Sequence, residues 1–152
     1  MRYMPLNTPA GMVFIQGTDE HITGIGFTEP CVPEGMTAAI NMAIGQLNEY
    51  FRGLRKEFDL PMKVEGSELQ RAVCDSLITI PYGETVTYKH VASDIGNPRA
   101  VRAVATAIGR NPIAIVIPCH RVIGSDGKMR GFAGGIPFKE YLLGVEGWGP
   151  KR

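Results

Sequence analysis

The chain has 152 residues, 44% hydrophobic and 20% charged, with a formal net charge of +1. That length suits one or two small domains of roughly 50–150 residues, and the apolar fraction excludes a disordered chain. Its 19 glycines follow no collagen-like period, no apolar run approaches the ~18 residues of a membrane span, and MRYMPLNTPAG lacks a signal-peptide core; a cytoplasmic protein, or a nuclear one in a eukaryote, is expected. Three unpaired-looking cysteines (Cys31, Cys74, Cys119) argue against a disulfide framework or a four-cysteine zinc site. Charge is unevenly spread. Residues 1–66 hold five Lys/Arg against eight Asp/Glu, residues 67–152 eleven against seven, and 98–130 six against the single Asp126. A basic region of that kind fits a phosphate-facing surface as well as a solvated one.

In chain order, GMVFIQGTDEHITGIGF reads as a β-hairpin turning at Gly17-Thr18-Asp19. After the Pro30–Pro33 break, Ile40, Ala43, Ile44, Leu47, Tyr50, Phe51, Leu54 and Phe58 recur at helical spacing behind the N-cap Thr37. No catalytic constellation stands out here, His21 is alone, and the unit reads as a scaffold. DLPMKVEG, about 59–66, is the expected linker. The predicted organisation is therefore a two-domain α+β or α/β chain. A small sheet-plus-helix domain (1–62) precedes a mostly helical domain (67–152) that contains a helix-turn-helix.

The second part opens with the capping pattern Ser67-x-x-Gln70 and a helix through Ile78. A short helix over Thr87–Asp94, a turn at Gly96-Asn97-Pro98 and a helix from Asn97 and Pro98 to about Ile108 follow. Helix, short turn, helix is the outline of a helix-turn-helix, and many αα-hairpins share it. Its second helix has an apolar stripe of Val101, Val104, Ala105 and Ile108. Arg99, Arg102, Ala103, Thr106 and Arg110 share the other face, which suits a helix that approaches a groove closely and equally a solvated basic face. Ile113–Ile117 then reads as a buried strand running into Pro118-Cys119-His120-Arg121-Val122. Neighbouring positive charge favours a thiolate, and a thiol beside an imidazole is a nucleophile–base pair if a third group orients the base; Glu146, ending the last apolar helix (Phe138, Tyr141, Leu142, Val145), is the candidate. If the strand continued, Cys119 and His120 would point to opposite faces. Either the chain turns at Pro118 or a water bridges the two. From residue types alone, a buried structural cysteine beside a salt-bridged arginine stays equally open.

PCHRV, preceded by GRNP and an apolar run and followed by GFAGG and a terminal helix, resembles the signature of the O6-alkylguanine-DNA alkyltransferases (methylated-DNA–protein-cysteine methyltransferases). IPYGETVTY and the RAV segment match too, so the likeness covers about residues 67–147. The resemblance implies a repair protein that transfers the alkyl group from O6-alkylguanine, and also O4-alkylthymine, in double-stranded DNA to its own cysteine, once and irreversibly. Cys119 would be the acceptor, His120 would take its proton through a water, Glu146 would orient His120, and Tyr88 would donate to guanine N3. Arg102 would enter the duplex as the base flips out, from a helix in the minor groove. Arg99, Ala103, Thr106, Arg110 and Thr87 would contact DNA. Asn111 would hold the turn before the active-site segment. The backbone of Cys119 and Val122, with the Phe132-Ala133-Gly134 loop, would line the guanine pocket. Phe132, Ala133 and Ala105 stand where relatives often carry Tyr, Ser and Gly, so any hydroxyl contact at the first two positions is absent. Neither a metal nor a cofactor is expected, because Cys31, Cys74 and His21 lack the zinc pattern of some members. The protein would act as a monomer, with cooperative assembly on DNA left open. The rival readings are a non-catalytic alkyl-lesion binder, a helix-turn-helix regulator with a sensor cysteine, and a thiol hydrolase.

Overall fold

The computed structural model describes residues 1–148; the last four residues of the predicted second domain, 149–152, lie outside them. Strands β1 (Arg2–Thr8), β2 (Gly11–Gly17) and β3 (Ile22–Gly26) form an antiparallel sheet in that order. The hairpin is β2–β3, with a register irregularity at Gln16/Gly17. Sequence reading missed β1. Its Pro5 breaks a strand pattern, yet at the sheet edge a missing N–H costs little, and Tyr3 and Thr8 near its two ends are buried.

Helix α1 (Ala38–Phe51) starts at Thr37, whose hydroxyl accepts from the Ile40 amide, and buries Ile40, Ala43, Leu47 and Tyr50 against the sheet. It stops earlier than its spacing predicts: Phe58 packs back onto Tyr50 from a loop, ring centroids 5.4 Å apart. The 59–66 segment is extended and tied to the sheet, the Ile22 amide donating to Pro61 and the Lys63 amide to Ile22.

Helix α2 (Glu68–Ile78) begins at Ser67 as its capping pattern requires. β4 (Val86–Thr87), α3 (Tyr88–Asp94) and α4 (Val101–Gly109) follow, and β4 pairs in parallel with β5 (Val122–Ile123). Ser76 donates to Asp94 at 2.7 Å, and the Gln70 side chain reaches the Ala107 carbonyl at 2.9 Å, so α2 clamps both helices of the helix-turn-helix. Two details differ from the sequence reading. Asn97, Pro98 and Arg99 belong to the turn, and α4 begins at Val101. Its fully buried residues are Val104, Ala107 and Ile108, whereas Ala105 is only half-buried.

The larger correction concerns residues 113–117, which form no strand of their own. Ile113 makes one bridge beside β3, with Ile25 donating to Pro112 and Ala114 donating to Ile25, both at 2.9 Å. The chain then turns back, Ile117 donating to Ile113, with Ile115 at φ 72°, a conformation a β-branched residue seldom adopts. A short, wholly buried apolar run carries no period that separates strand from turn. Cys119–Arg121 is a single 3-10 turn, and α5 (Ile136–Val145) is the last element among the described residues. One continuous core joins Val13, Ile25, Ile40 and Leu47 to Val73, Leu77, Ile117 and Leu142.

Candidate active site

Pro118 does turn the chain, and the resulting 3-10 turn buries Cys119, His120 and Arg121 together. His120 and Arg121 both aim at Glu146, the residue that ends α5. Glu146 Oε2 lies 2.6 Å from His120 Nε2 and accepts from Tyr50 Oη at 2.6 Å and Arg121 Nη2 at 3.0 Å. Its Oε1 accepts from Arg121 Nε at 2.8 Å and the Gly83 amide at 3.0 Å. Burial works against the carboxylate, but the hydrogen bonds from His120, Arg121 and Tyr50 outweigh it and hold Glu146 well below the usual carboxylate range.

The same cluster explains the IPYG segment. Arg121 Nη1 donates to the Ile80 carbonyl at 2.7 Å, and Gly83 turns its amide onto the carboxylate at φ 79°, where a Cβ would sit 3.1 Å from the Glu146 carbonyl. Only glycine meets both demands without strain.

Since Glu146 can only accept, His120 Nε2 carries the hydrogen and Nδ1 the lone pair. Nδ1 is buried and has no hydrogen-bond partner among the described residues. Burial lowers the imidazole below its ordinary value, with Glu146 pulling the other way, so Arg121 supplies the charge that balances Glu146. The result is a neutral base, fixed in tautomer and orientation, in the residue next to a thiol.

The thiol departs from expectation. Burial pushes Cys119 up to about 11, only partly offset by Asn111 and the Lys139 ammonium. The cationic neighbours do not win, because burial outweighs them and Arg121 is already paired with Glu146. Lys139, itself buried and lowered to about 8 by desolvation, donates to the carbonyls of Val122 at 2.6 Å and Arg130 at 3.3 Å. In the free protein at neutral pH, iodoacetamide is therefore expected to label exposed Cys31 well before Cys119, whose labelling should climb with pH toward about 11. Peptide mass spectrometry reads this directly; equal labelling at neutral pH would contradict it.

Asn111 bridges the turn before the cysteine, donating to the Ile117 carbonyl at 2.7 Å and accepting from the Ile113 amide at 3.1 Å. Beside the thiol lies a pocket of about 20 Å³ lined by Phe27, Ile108, Gly109, Asn111, Ala114, Cys119, Gly131, Phe132 and Ala133, enough for one water. Gly134 lies just behind, under Phe27. Val122 is buried in β5 with its carbonyl on Lys139. Tyr88 is half-buried at the start of α3, in a groove with Val101 and Arg130. The Thr87 hydroxyl caps α3 by accepting from His90. Arg99, Arg102, Ala103, Thr106 and Arg110 are all exposed on or beside α4.

Comparison with known proteins matches both halves of the chain. A family model described as 6-O-methylguanine DNA methyltransferase, DNA binding domain, covers residues 68–148, and one described as its ribonuclease-like domain covers 1–64. The chain belongs to the 6-O-methylguanine DNA methyltransferase family. It is 43% identical over 154 residues to the methylated-DNA–protein-cysteine methyltransferase of Methanosarcina acetivorans, covering 97% of this chain and 99% of that protein. Its counterpart in Mycolicibacterium paratuberculosis is 42% identical, over 96% and 92%. A crystal structure of Mycobacterium tuberculosis OGT in complex with DNA superposes with a TM-score of 0.89 at 41% identity, over 96% of this chain and 92% of that one.

Within this methyltransferase fold the first unit is more than a scaffold. Tyr50 of α1 reaches Glu146, and Phe27 walls the pocket. Sequence reading missed both, along with buried Lys139; it held a salt-bridged arginine beside the cysteine open but did not give Arg121 its partner, Glu146. Lys139 did leave a trace, since Ile136, Leu142 and Leu143, the positions three and four residues from it along the helix, are apolar.

Proposed function

We propose that Cys119 accepts the alkyl group of O6-alkylguanine in double-stranded DNA, and of O4-alkylthymine, in a single irreversible event. The observation that carries this reading is the His120 ring. Its Nε2–H is committed to Glu146 and its buried Nδ1 is left with a free lone pair one residue from the thiol. The thiol proton passes through a water to Nδ1. Sγ then attacks the alkyl carbon in line, the S–C bond forming as the C–O6 bond breaks and its electron pair leaves with guanine. Lys139 and Asn111 temper the thiolate while it exists, and the hydroxyl of Tyr88 donates to guanine N3 as negative charge develops there. The Cys119 thioether has no route back to a thiol, so the protein is consumed.

A pocket of about 20 Å³ admits no purine, so the base enters only if the Gly131–Gly134 loop swings off it. The base must also leave the duplex first. Arg102 on the exposed face of α4 fills the gap, while Arg99, Ala103, Thr106, Arg110 and Thr87 lie along the DNA. The backbone of Cys119 and Val122 and the Phe132, Ala133 and Gly134 loop hold the base. Phosphate contacts dominate affinity and make it salt-dependent. In this reading residues 1–62 and 67–152 are the two units, the protein works as a monomer in the cytoplasm, or in the nucleus of a eukaryote, and it needs no cofactor.

The test is to incubate the protein with a duplex containing O6-methylguanine and weigh it. One methyl group is expected on Cys119, with one equivalent of repaired guanine and none in Cys119→Ala. Multiple turnover, or a methyl on Cys31, would overturn the reading.

A further inference from the structure

The pocket beside Cys119 has one wall from the other half of the chain. Its other lining residues fall between 108 and 133, whereas Phe27 lies just past β3. The Phe27 ring meets Phe132 edge-on at 5.4 Å and Phe138 at 5.0 Å. It also fills the space over Gly134, where a Cβ would lie 2.7 Å from the ring. Behind it, the Ile25 backbone bonds to Pro112 and Ala114, fixing the end of β3 against the segment that leads to Cys119. The ring is wedged, and its position relative to the sulfur is set by backbone bonds.

We propose that Phe27 is a specificity-determining residue whose ring limits the size of alkyl group that Cys119 accepts. The assignment rests on the alkyl-transfer reading. In an in-line displacement the reacting carbon lies between Sγ and the departing oxygen, so a substituent on that carbon projects sideways into the space beside the sulfur. A methyl group projects nothing; a benzyl group must place a whole ring there. The bulky side chains facing that space are Phe27, Ile108 and Phe132. Ile108 belongs to the α4 core and Phe132 to the loop that must receive the base. Phe27 can change size without altering the α4 core or the His120–Glu146 pair, and it touches the receiving loop only through the Phe132 ring and the space over Gly134. Its trimming also loosens the loop clamp at Gly134, which favours bulky substrates in the same direction.

The experiment compares the protein with Phe27→Ala, Phe27→Leu and Phe27→Trp in single-turnover transfer from O6-methylguanine and O6-benzylguanine placed in the same duplex. The readout is the benzyl-to-methyl rate ratio, in which any general loss of DNA affinity or folded fraction cancels. The ratio is expected to rise about tenfold or more in Phe27→Ala, less in Phe27→Leu, and to fall in Phe27→Trp, the scale at which apolar pockets sort substrates by size. Should Phe27→Ala fail to fold, the order of Leu, Phe and Trp decides. A ratio constant within about twofold across the variants, with normal methyl transfer, overturns the Phe27 assignment alone. Absence of methyl transfer in the unaltered protein overturns the alkyl-transfer reading first.

Discussion

Glu146→Gln is expected to destabilise the protein by about 3–5 kcal/mol, the usual penalty for removing one partner of a buried ion pair. The size follows from the geometry. Two oxygens accept from Tyr50, His120, Gly83 and twice from Arg121. An amide offers one acceptor, and its NH₂ group either faces Arg121 or the Gly83 amide, which only donate, or makes acceptors of Tyr50 Oη and His120 Nε2. Arg121, 6% exposed, is then left charged in a buried site. Transfer to Cys119 should slow by at least about a hundredfold, because His120 loses the group that fixes its tautomer. Urea unfolding at neutral pH and single-turnover kinetics check the two halves separately. A loss below about 1 kcal/mol would mean that water reaches the cluster.

The same cluster gives stability a pH dependence whose sign can be worked out. Glu146 is held below its ordinary 4.5, so its contribution is complete above that pH and is lost as pH falls toward the folded value. His120 is held below 6.5 by burial; the unfolded chain takes up its proton first, and stability again falls as pH drops below 6.5. Lys139, at about 8 against 10.5, adds stability as pH rises between those values. The protein should therefore weaken from pH 6.5 downward, and the Glu146→Gln curve should be flatter below 4.5, because the variant has already lost the titrating carboxylate.

What the sequence made legible were features fixed by local chemistry. Thr37 and Ser67 announced their helices because a hydroxyl three residues before an orphan amide is a local arrangement. The exposed arginine face of α4 followed from helical spacing. Glu146 was found as the partner of His120 because it ends the one apolar helix after the cysteine. What stayed hidden depends on contacts between distant residues. Tyr50 looked like one more apolar position in α1, and only the packing of α1 on α5 turns its hydroxyl to the carboxylate. Arg121 was visible as a cation, free or salt-bridged, but its partner was not, and the burial that pushes the Cys119 thiol up depends on packing from both halves of the chain. The 113–117 run misled for another reason: burial on every side erases the alternation that distinguishes a strand from a compact turn.

Arg102→Ala is expected to slow repair of O6-methylguanine in duplex DNA by about a hundredfold, while reaction with free O6-benzylguanine changes by less than about twofold. The asymmetry isolates one step. Extruding a base costs a few kcal/mol of stacking and pairing, and a long planar cation entering the vacated space offsets much of it; the free base has no stack to leave. Arg102 is exposed on α4, next to exposed Ala103 and one turn from Thr106, which donates to its carbonyl at 3.2 Å, so its loss should leave folding within about 0.5 kcal/mol. Arg99→Ala and Arg110→Ala serve as controls of a different kind. If they neutralise phosphates, each should weaken duplex binding and lower the salt slope by about one while leaving transfer from bound DNA unchanged. An Arg102→Ala variant that loses equal activity on both substrates would place the residue in the Cys119 pocket, and one that behaves like Arg99→Ala would reduce it to another phosphate contact.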